Sequence, residues 1–322
     1  GLVFKQNGEI VRTTPRTPIT DLDTLAIPDR QAVLFPERCN FQSFGSMIIS
    51  RGCPFRCTFC SSRNFWDKKV RFRSPENMVE EIRTLKENFN CSHIMFWDDT
   101  LTISESTVRK YCDAIIDSDL RITWKGSTRA SMLNPDLVKH LKKAGCVKME
   151  IGVESGSERI RKLIKKDVDD EQIRYAFDLL RKNGIGSGAF FMAGFPEETV
   201  EDIQKTWALM KDLDPDEMAF NIFDPMPGSD EYDKCIEMGL VPKDADWNDF
   251  PFWPDAHYVR DIDPETFSKL VIEIADWLFK RNNSLAHRFR RNRRLAFTML
   301  RNNPRLLLSK ILARLRSGAL SS

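Results

Sequence analysis

Between Met47 and Phe223 the chain repeats one unit six times: a short apolar run, then a longer stretch with apolar residues every three or four positions. The runs Met47–Ile49, His93–Trp97, Arg121–Ser127, Val147–Val153, Ile185–Met192 and Met218–Phe223 have the length of strands. The stretches between them carry helix punctuation. Ser74-Pro75-Glu76 and Asn134-Pro135 each set an N-cap before a proline in the first turn, and Gly145 ends the second of these helices. Val108, Tyr111, Cys112 and Ile115 share one face of a helix begun at Ser104, and Val200, Ile203, Trp207 and Met210 share another. Such alternation predicts βαβ units and a parallel α/β sheet. Periodicity leaves open whether the sheet is doubly wound or curls into a barrel. In both, functional residues lie past the C-terminal ends of the strands. The chemically unusual residues gather there: three cysteines, Asp98-Asp99, Arg129, Glu154 and Gly194-Phe195-Pro196.

The cysteines follow the first strand, in RGCPFRCTFCSS at 51–62. Of eight in the chain, Cys53, Cys57 and Cys60 cluster, whereas Cys39, Cys91, Cys112, Cys146 and Cys235 stand singly. That usage predicts a reducing, cytoplasmic setting in which grouped thiolates bind metal and lone thiols pack as small hydrophobes. Three thiolates satisfy three corners of a [4Fe–4S] cube and leave one iron open, while structural zinc takes four ligands. None of the four histidines, His93, His140, His257 and His287, sits beside the cluster. A zinc knuckle, a closed ferredoxin-like cluster and three coincidental thiols are the competing readings.

The C-x3-C-x2-C spacing, with Phe59 before the last cysteine, resembles the signature of radical S-adenosylmethionine (SAM) enzymes, and ordered motifs extend the resemblance over most of residues 41–230. It implies a partial (β/α)6 TIM-like barrel, a [4Fe–4S] cluster on Cys53, Cys57 and Cys60, and SAM on the open iron. Reductive cleavage of SAM would then give a 5′-deoxyadenosyl radical that acts on a substrate. Carried over by position, FWDDT at 96–100 puts Asp98 or Asp99 near the SAM amino group. GSTRAS puts Arg129 where an arginine pairs with the SAM carboxylate, since a guanidinium fork matches a planar carboxylate. IGVESGSE puts Glu154 near the ribose or amino group, and FFMAGFPEET puts Phe191, Met192 and Gly194 beside adenine. FNIFDPMPGS offers Asn221 and Phe223 to the cavity. Helix caps, surface ion pairs and turns are the structural readings of the same residues. An iron–sulfur electron carrier or accessory protein is the alternative function.

Residues 8–30, with MEIGVESGS and GFPEET, resemble the cobalamin-dependent branch, which includes methyltransferases and the anaerobic magnesium-protoporphyrin ester cyclase. The D-x-H-x-x-G motif of its cobalamin domain does not occur in this sequence, and Asp255-Ala256-His257 lacks the glycine. Cobalamin is expected only through a domain outside this chain, which begins at Gly1 as a piece of a longer protein would. A methylthiotransferase would need further cluster cysteines upstream, which Cys39 alone does not supply.

Charge divides the chain. From Lys280 onward lie 12 of the 49 basic residues and none of the 47 acidic ones, which leaves 37 basic against 47 acidic in the rest, a balance of −10. The basic tail also carries Leu306, Leu307, Leu308, Ile311, Leu312 and Leu315 at helical intervals. A helix packed on the barrel, contact with an anionic membrane surface and nucleic-acid binding compete for it, the last fitting its apolar content least. No run of about 18 apolar residues occurs. The expected organisation is a connector at 1–40, the core barrel at 41–230, an aromatic loop and helix at 231–279, and the tail at 280–322. The expected partners are a small-molecule or lipid-like substrate and a reductant protein such as flavodoxin or ferredoxin, with peripheral membrane contact through the tail as one option.

Overall fold

The six apolar runs pair side by side in the order in which they occur. The structure is a computed structural model that describes residues 1–34, 45–66, 68–243, 257–285 and 287. Strands β1 (Val3–Gln6) and β2 (Glu9–Arg12) form an N-terminal antiparallel hairpin. The main sheet starts with β3 (Ser46–Met47), and the antiparallel pair β4 (Ser50–Arg51) and β5 (Arg71–Phe72) brackets the cysteine segment. The main sheet continues through β6 (His93–Phe96), β7 (Thr123–Thr128), β8 (Cys146–Glu154), β9 (Gly186–Ala193) and β10 (Glu217–Ile222). Its order is β3-β6-β7-β8-β9-β10, and every pairing is parallel.

No strand is skipped, so the winding never reverses. A doubly wound sheet needs such a reversal; strictly sequential order curls the sheet one way, into the open barrel that the resemblance implied.

The helices are α1 (Ser62–Trp66), α2 (Pro75–Phe89), α3 (Glu105–Asp117), α4 (Pro135–Lys143), α5 (Glu158–Leu163), α6 (Asp170–Lys182), α7 (Val200–Leu213), α8 (Asp230–Glu237) and α9 (Pro264–Asn283). Successive pairs α2–α3, α3–α4, α4–α6 and α7–α9 touch, forming one layer around the sheet. Their starts are fixed locally. Ser74, Asn134 and Asp263 cap helices that carry proline in the first turn, and Asp169 and Thr199 complete capping boxes. Helix α8 lies at the start of the stretch expected as an aromatic loop. Helix α9 runs past Lys280, so the tail's first residues belong to the folded body; Arg281 Nη2 donates to Asp214 Oδ1 at 2.8 Å. Trp247, Phe250, Phe252, Trp253, Cys39 and the tail beyond residue 287 lie outside the described residues.

The strand period separates two faces. On β8, Met149, Ile151 and Val153 join the main core, where Phe96 meets Trp124 edge-on at 5.6 Å between ring centroids. Lys148, Glu150 and Gly152 alternate with them. Charges line this second face: Lys125 and Lys148 approach Glu150 at 3.1 and 2.9 Å, and Lys148 also pairs with Glu217.

Candidate functional site

The cysteine segment leaves β4 as a loop held from three sides. Thr58 donates its N–H to the Ile164 carbonyl at 3.0 Å and its hydroxyl to Glu231 Oε1 at 2.9 Å, and its carbonyl accepts the Glu231 N–H. Asn64 Nδ2 donates to the Gly228 carbonyl at 2.5 Å. At the loop's start, the buried Asp98 accepts from the backbone N–H groups of Ile49 and Ser50 and from the Ser50 hydroxyl. The loop is thus tied to α8, to the segment after α5 and to the end of β6. Cys60 is exposed, and Cys53 and Cys57 are half-buried. Burial pushes the Cys53 and Cys60 thiols up, with Asp99 and the neighbouring thiols adding to it. Metal ligation, which needs thiolate, would therefore release protons. Among the described residues no three His, Cys, Asp or Glu side chains converge as they would on one metal ion.

At the ends of β7 and β8, a buried arginine bonds the backbone of a buried lysine that is paired with a carboxylate. Arg129 is 5% exposed; its Nη1 donates to Cys57 Sγ at 3.2 Å, and its guanidinium lies over the Phe55 ring at 3.8 Å. Its Nη2 bonds the Lys166 carbonyl, while Nε is buried without a hydrogen-bond partner among the described residues. Lys166, 6% exposed, pairs with Glu154 Oε1 at 2.8 Å. Glu154 holds φ +69° where the β8–β9 register shifts, an unusual conformation for a residue with a side chain. Gly152 leaves it room: a Cβ there would stand 2.3 Å from Glu154 Oε1 and 2.8 Å from Lys166 Nζ. Strain, burial and an unpaired donor in one spot mark a place prepared for a ligand.

An aromatic series joins the loop to β9 and β10. Phe59 meets Phe195 edge-on at 6.0 Å, Phe195 stacks on Phe223 at 4.9 Å, and Phe223 meets Tyr258 at 6.3 Å. The buried Glu198 holds the turn that presents Phe195: its Oε2 accepts the N–H groups of Gly194 at 2.6 Å and Phe195 at 3.3 Å. Burial, opposed by these two bonds, pushes the Glu198 carboxyl up to about 8. Gly194 has φ +105°, and a Cβ there would meet Phe267 and Ile222 at 3.2 and 3.3 Å.

The profile of the radical SAM superfamily matches residues 47–210. The chain belongs to that superfamily. It is 31% identical over 272 residues to an uncharacterized methyltransferase of Pyrococcus horikoshii, a match covering 84% of this chain and 59% of the relative. It is 30% identical to the anaerobic magnesium-protoporphyrin IX monomethyl ester cyclase of Rubrivivax gelatinosus, over 70% of this chain and 41% of that one. The chain therefore spans about half the length of these curated relatives. In fold it is similar to TsrM, a radical SAM methyltransferase of Kitasatospora setae with cobalamin and a [4Fe–4S] cluster bound, at TM-score 0.56 and 17% identity over 60% of this chain and 39% of that one. The Escherichia coli radical SAM enzyme coproporphyrinogen III oxidase matches at TM-score 0.53 and 13% identity, over 77% and 57% of the two chains.

The radical SAM domain carries a [4Fe–4S] cluster and SAM, and the site suits both. Three thiols on one tethered loop suit a cube with an open corner, and the orphaned Arg129 Nε beside a second buried cation suits an anion such as the SAM carboxylate. Of the residues named from sequence, Cys53, Cys57, Cys60, Phe59, Asp99, Arg129 and Glu154 come together here. Asp99 is exposed and accepts from Ser62 at 2.5 Å, next to the loop. Two expectations change. Asp98 is committed to the backbone of Ile49 and Ser50, so it shapes the entry to the cysteine loop. Phe191 is fully buried in the main core, because strand alternation turns it away from Met192, which packs against the same smaller cluster as Phe59. Gly194 acts through its backbone turn. Sequence reasoning missed Lys166 and Glu198; a lysine twelve residues after Glu154 and the second glutamate of GFPEET gave no sign of burial.

Proposed function

We propose that this barrel binds a [4Fe–4S] cluster through Cys53, Cys57 and Cys60, binds SAM against it, and initiates radical chemistry on a small-molecule substrate. The observation that carries this reading is the buried Arg129 beside the thiol loop, bonded to Cys57 and to the backbone of Lys166 and with its Nε donor unspent, next to the buried Lys166–Glu154 pair. Bound together, the two cofactors supply one-electron cleavage of the sulfonium. The protein's own part is binding and orientation. Arg129 steadies Cys57 and, with Lys166, takes the SAM carboxylate. Glu154, fixed by Lys166, accepts from the ribose or amino group, and Asp99 is the exposed acceptor on the other side. Met192 and Phe59 give the nucleotide an apolar wall. The cyclase and methyltransferase relatives support methyl transfer or ring formation as the outcome. A protein reductant is part of this proposal; membrane contact by the tail rests on its sequence alone.

Anaerobic reconstitution with dithionite and SAM tests the reading: the enzyme releases 5′-deoxyadenosine, whereas an iron–sulfur carrier leaves SAM intact. Cys57→Ala is expected to abolish the thiolate–iron absorption at about 400 nm. Full absorption in that variant would remove Cys57 from the ligand set.

A further inference from the structure

The middle of the cysteine loop is held by a buried acid. Glu231, in the first turn of α8, is 2% exposed. Its Oε1 accepts the Thr58 hydroxyl at 2.9 Å, and its N–H donates to the Thr58 carbonyl at 2.9 Å. Thr58 stands between Cys57 and Cys60. Helix capping does not explain the acid, because Ser229 already accepts the Tyr232 N–H at 3.2 Å. Nor does the bond to Thr58 require a charge: a glutamine would accept it without the cost of burying a carboxylate. That cost is only partly offset. Oε2 has no hydrogen-bond partner among the described residues, and Lys234 Nζ, 3.6 Å away, also pairs with Glu197. Two carboxylates thus share one lysine, the buried one bonded directly to the loop.

We infer that Glu231 is a positioning residue that lowers the reduction potential of the cluster. The inference rests on the proposed cube at Cys53, Cys57 and Cys60, and goes beyond it by naming a residue that tunes that cube. Reduction adds one negative charge to a cluster, and a carboxylate fixed nearby in a dry place opposes it. The hydrogen bond acts in the same direction. Thr58 has one hydroxyl proton, and giving it to Glu231 withholds it from the ligand sulfurs, where a donor would favour the reduced state. Arg56, Arg63 and Asp230 also lie beside Cys57 and Cys60, and Arg129 donates to Cys57. Those groups stay the same when Glu231 alone is changed, so the difference between two proteins isolates its charge.

Anaerobic potentiometric titration of the reconstituted full chain with dithionite and no SAM, followed by electron paramagnetic resonance, reads the midpoint without turnover. Glu231→Gln keeps an acceptor for Thr58 and removes the charge. Its midpoint is expected to rise by the equivalent of about tenfold in the reduction equilibrium, about 59 mV for one electron, with iron per chain unchanged. Lys234→Gln removes the cation shared by the two carboxylates and is expected to move the midpoint down. A purely structural tie would leave both midpoints at the wild-type value, because the amide preserves the tie. Should Glu231→Gln fail to hold a cluster, the downward shift in Lys234→Gln carries the test. Unmoved midpoints, shifts of one sign in both variants, or cluster loss in Glu231→Gln with Lys234→Gln unshifted would each overturn the inference. Wild-type protein that takes up no cluster would overturn the proposed function as well, whereas a cluster indifferent to both substitutions overturns the inference alone.

Discussion

Glu198 gives the sharpest test of how the β9 turn is held. Its carboxyl is fully buried, accepts two backbone N–H groups through Oε2, and leaves Oε1 without a partner among the described residues. Burial outweighs the two bonds and lifts it to about 8, so at neutral pH the folded protein keeps the proton that the unfolded chain gives up. A raised carboxyl stabilises the fold fully below its unfolded pKa, and that contribution fades as pH rises through the folded value. Between the two, stability falls by about 1.4 kcal/mol per pH unit, so this group alone removes roughly 2.7 kcal/mol from pH 5.5 to pH 7.5. Glu198→Gln keeps a carbonyl oxygen for Gly194 and Phe195 and cannot ionise. Urea unfolding of apoprotein at both pH values should show the variant losing less stability than wild type by about that amount. Identical losses in the two proteins would refute the buried, protonated carboxyl.

Three further substitutions probe the site. Lys166→Met strands the Glu154 carboxylate in a buried setting and should lower unfolding free energy by about 3–5 kcal/mol, measured by urea denaturation, with Lys166→Arg losing much less. Gly152→Ala places a Cβ 2.3 Å from Glu154 Oε1; displacing that carboxylate should cost about 1–3 kcal/mol in the same assay and weaken SAM in equilibrium dialysis. Asp98→Ala leaves the Ile49 and Ser50 N–H groups without their acceptor, at about 2–4 kcal/mol, and should lower the iron retained per chain after reconstitution.

The sequence by itself determined the six strand–helix units, the helix starts and the thiol trio, because each is encoded within a few residues: an apolar period, a cap before proline, a cysteine spacing. It also marked Arg129 and Glu154, since strand ends are legible and strand ends carry function. Strand order decided between a doubly wound sheet and an open barrel, and that order is set by long-range pairing that local periodicity does not contain. Which of Asp98 and Asp99 is buried was decided by how the chain turns after β6, and which of Phe191 and Met192 is buried by the rotation of β9 about its axis, one-residue matters that packing against the helices and the cysteine loop resolves. Lys166 and Glu198 became visible only in three dimensions. A lysine or glutamate is ordinary in sequence, and acquires meaning when the folded chain buries it against its partners.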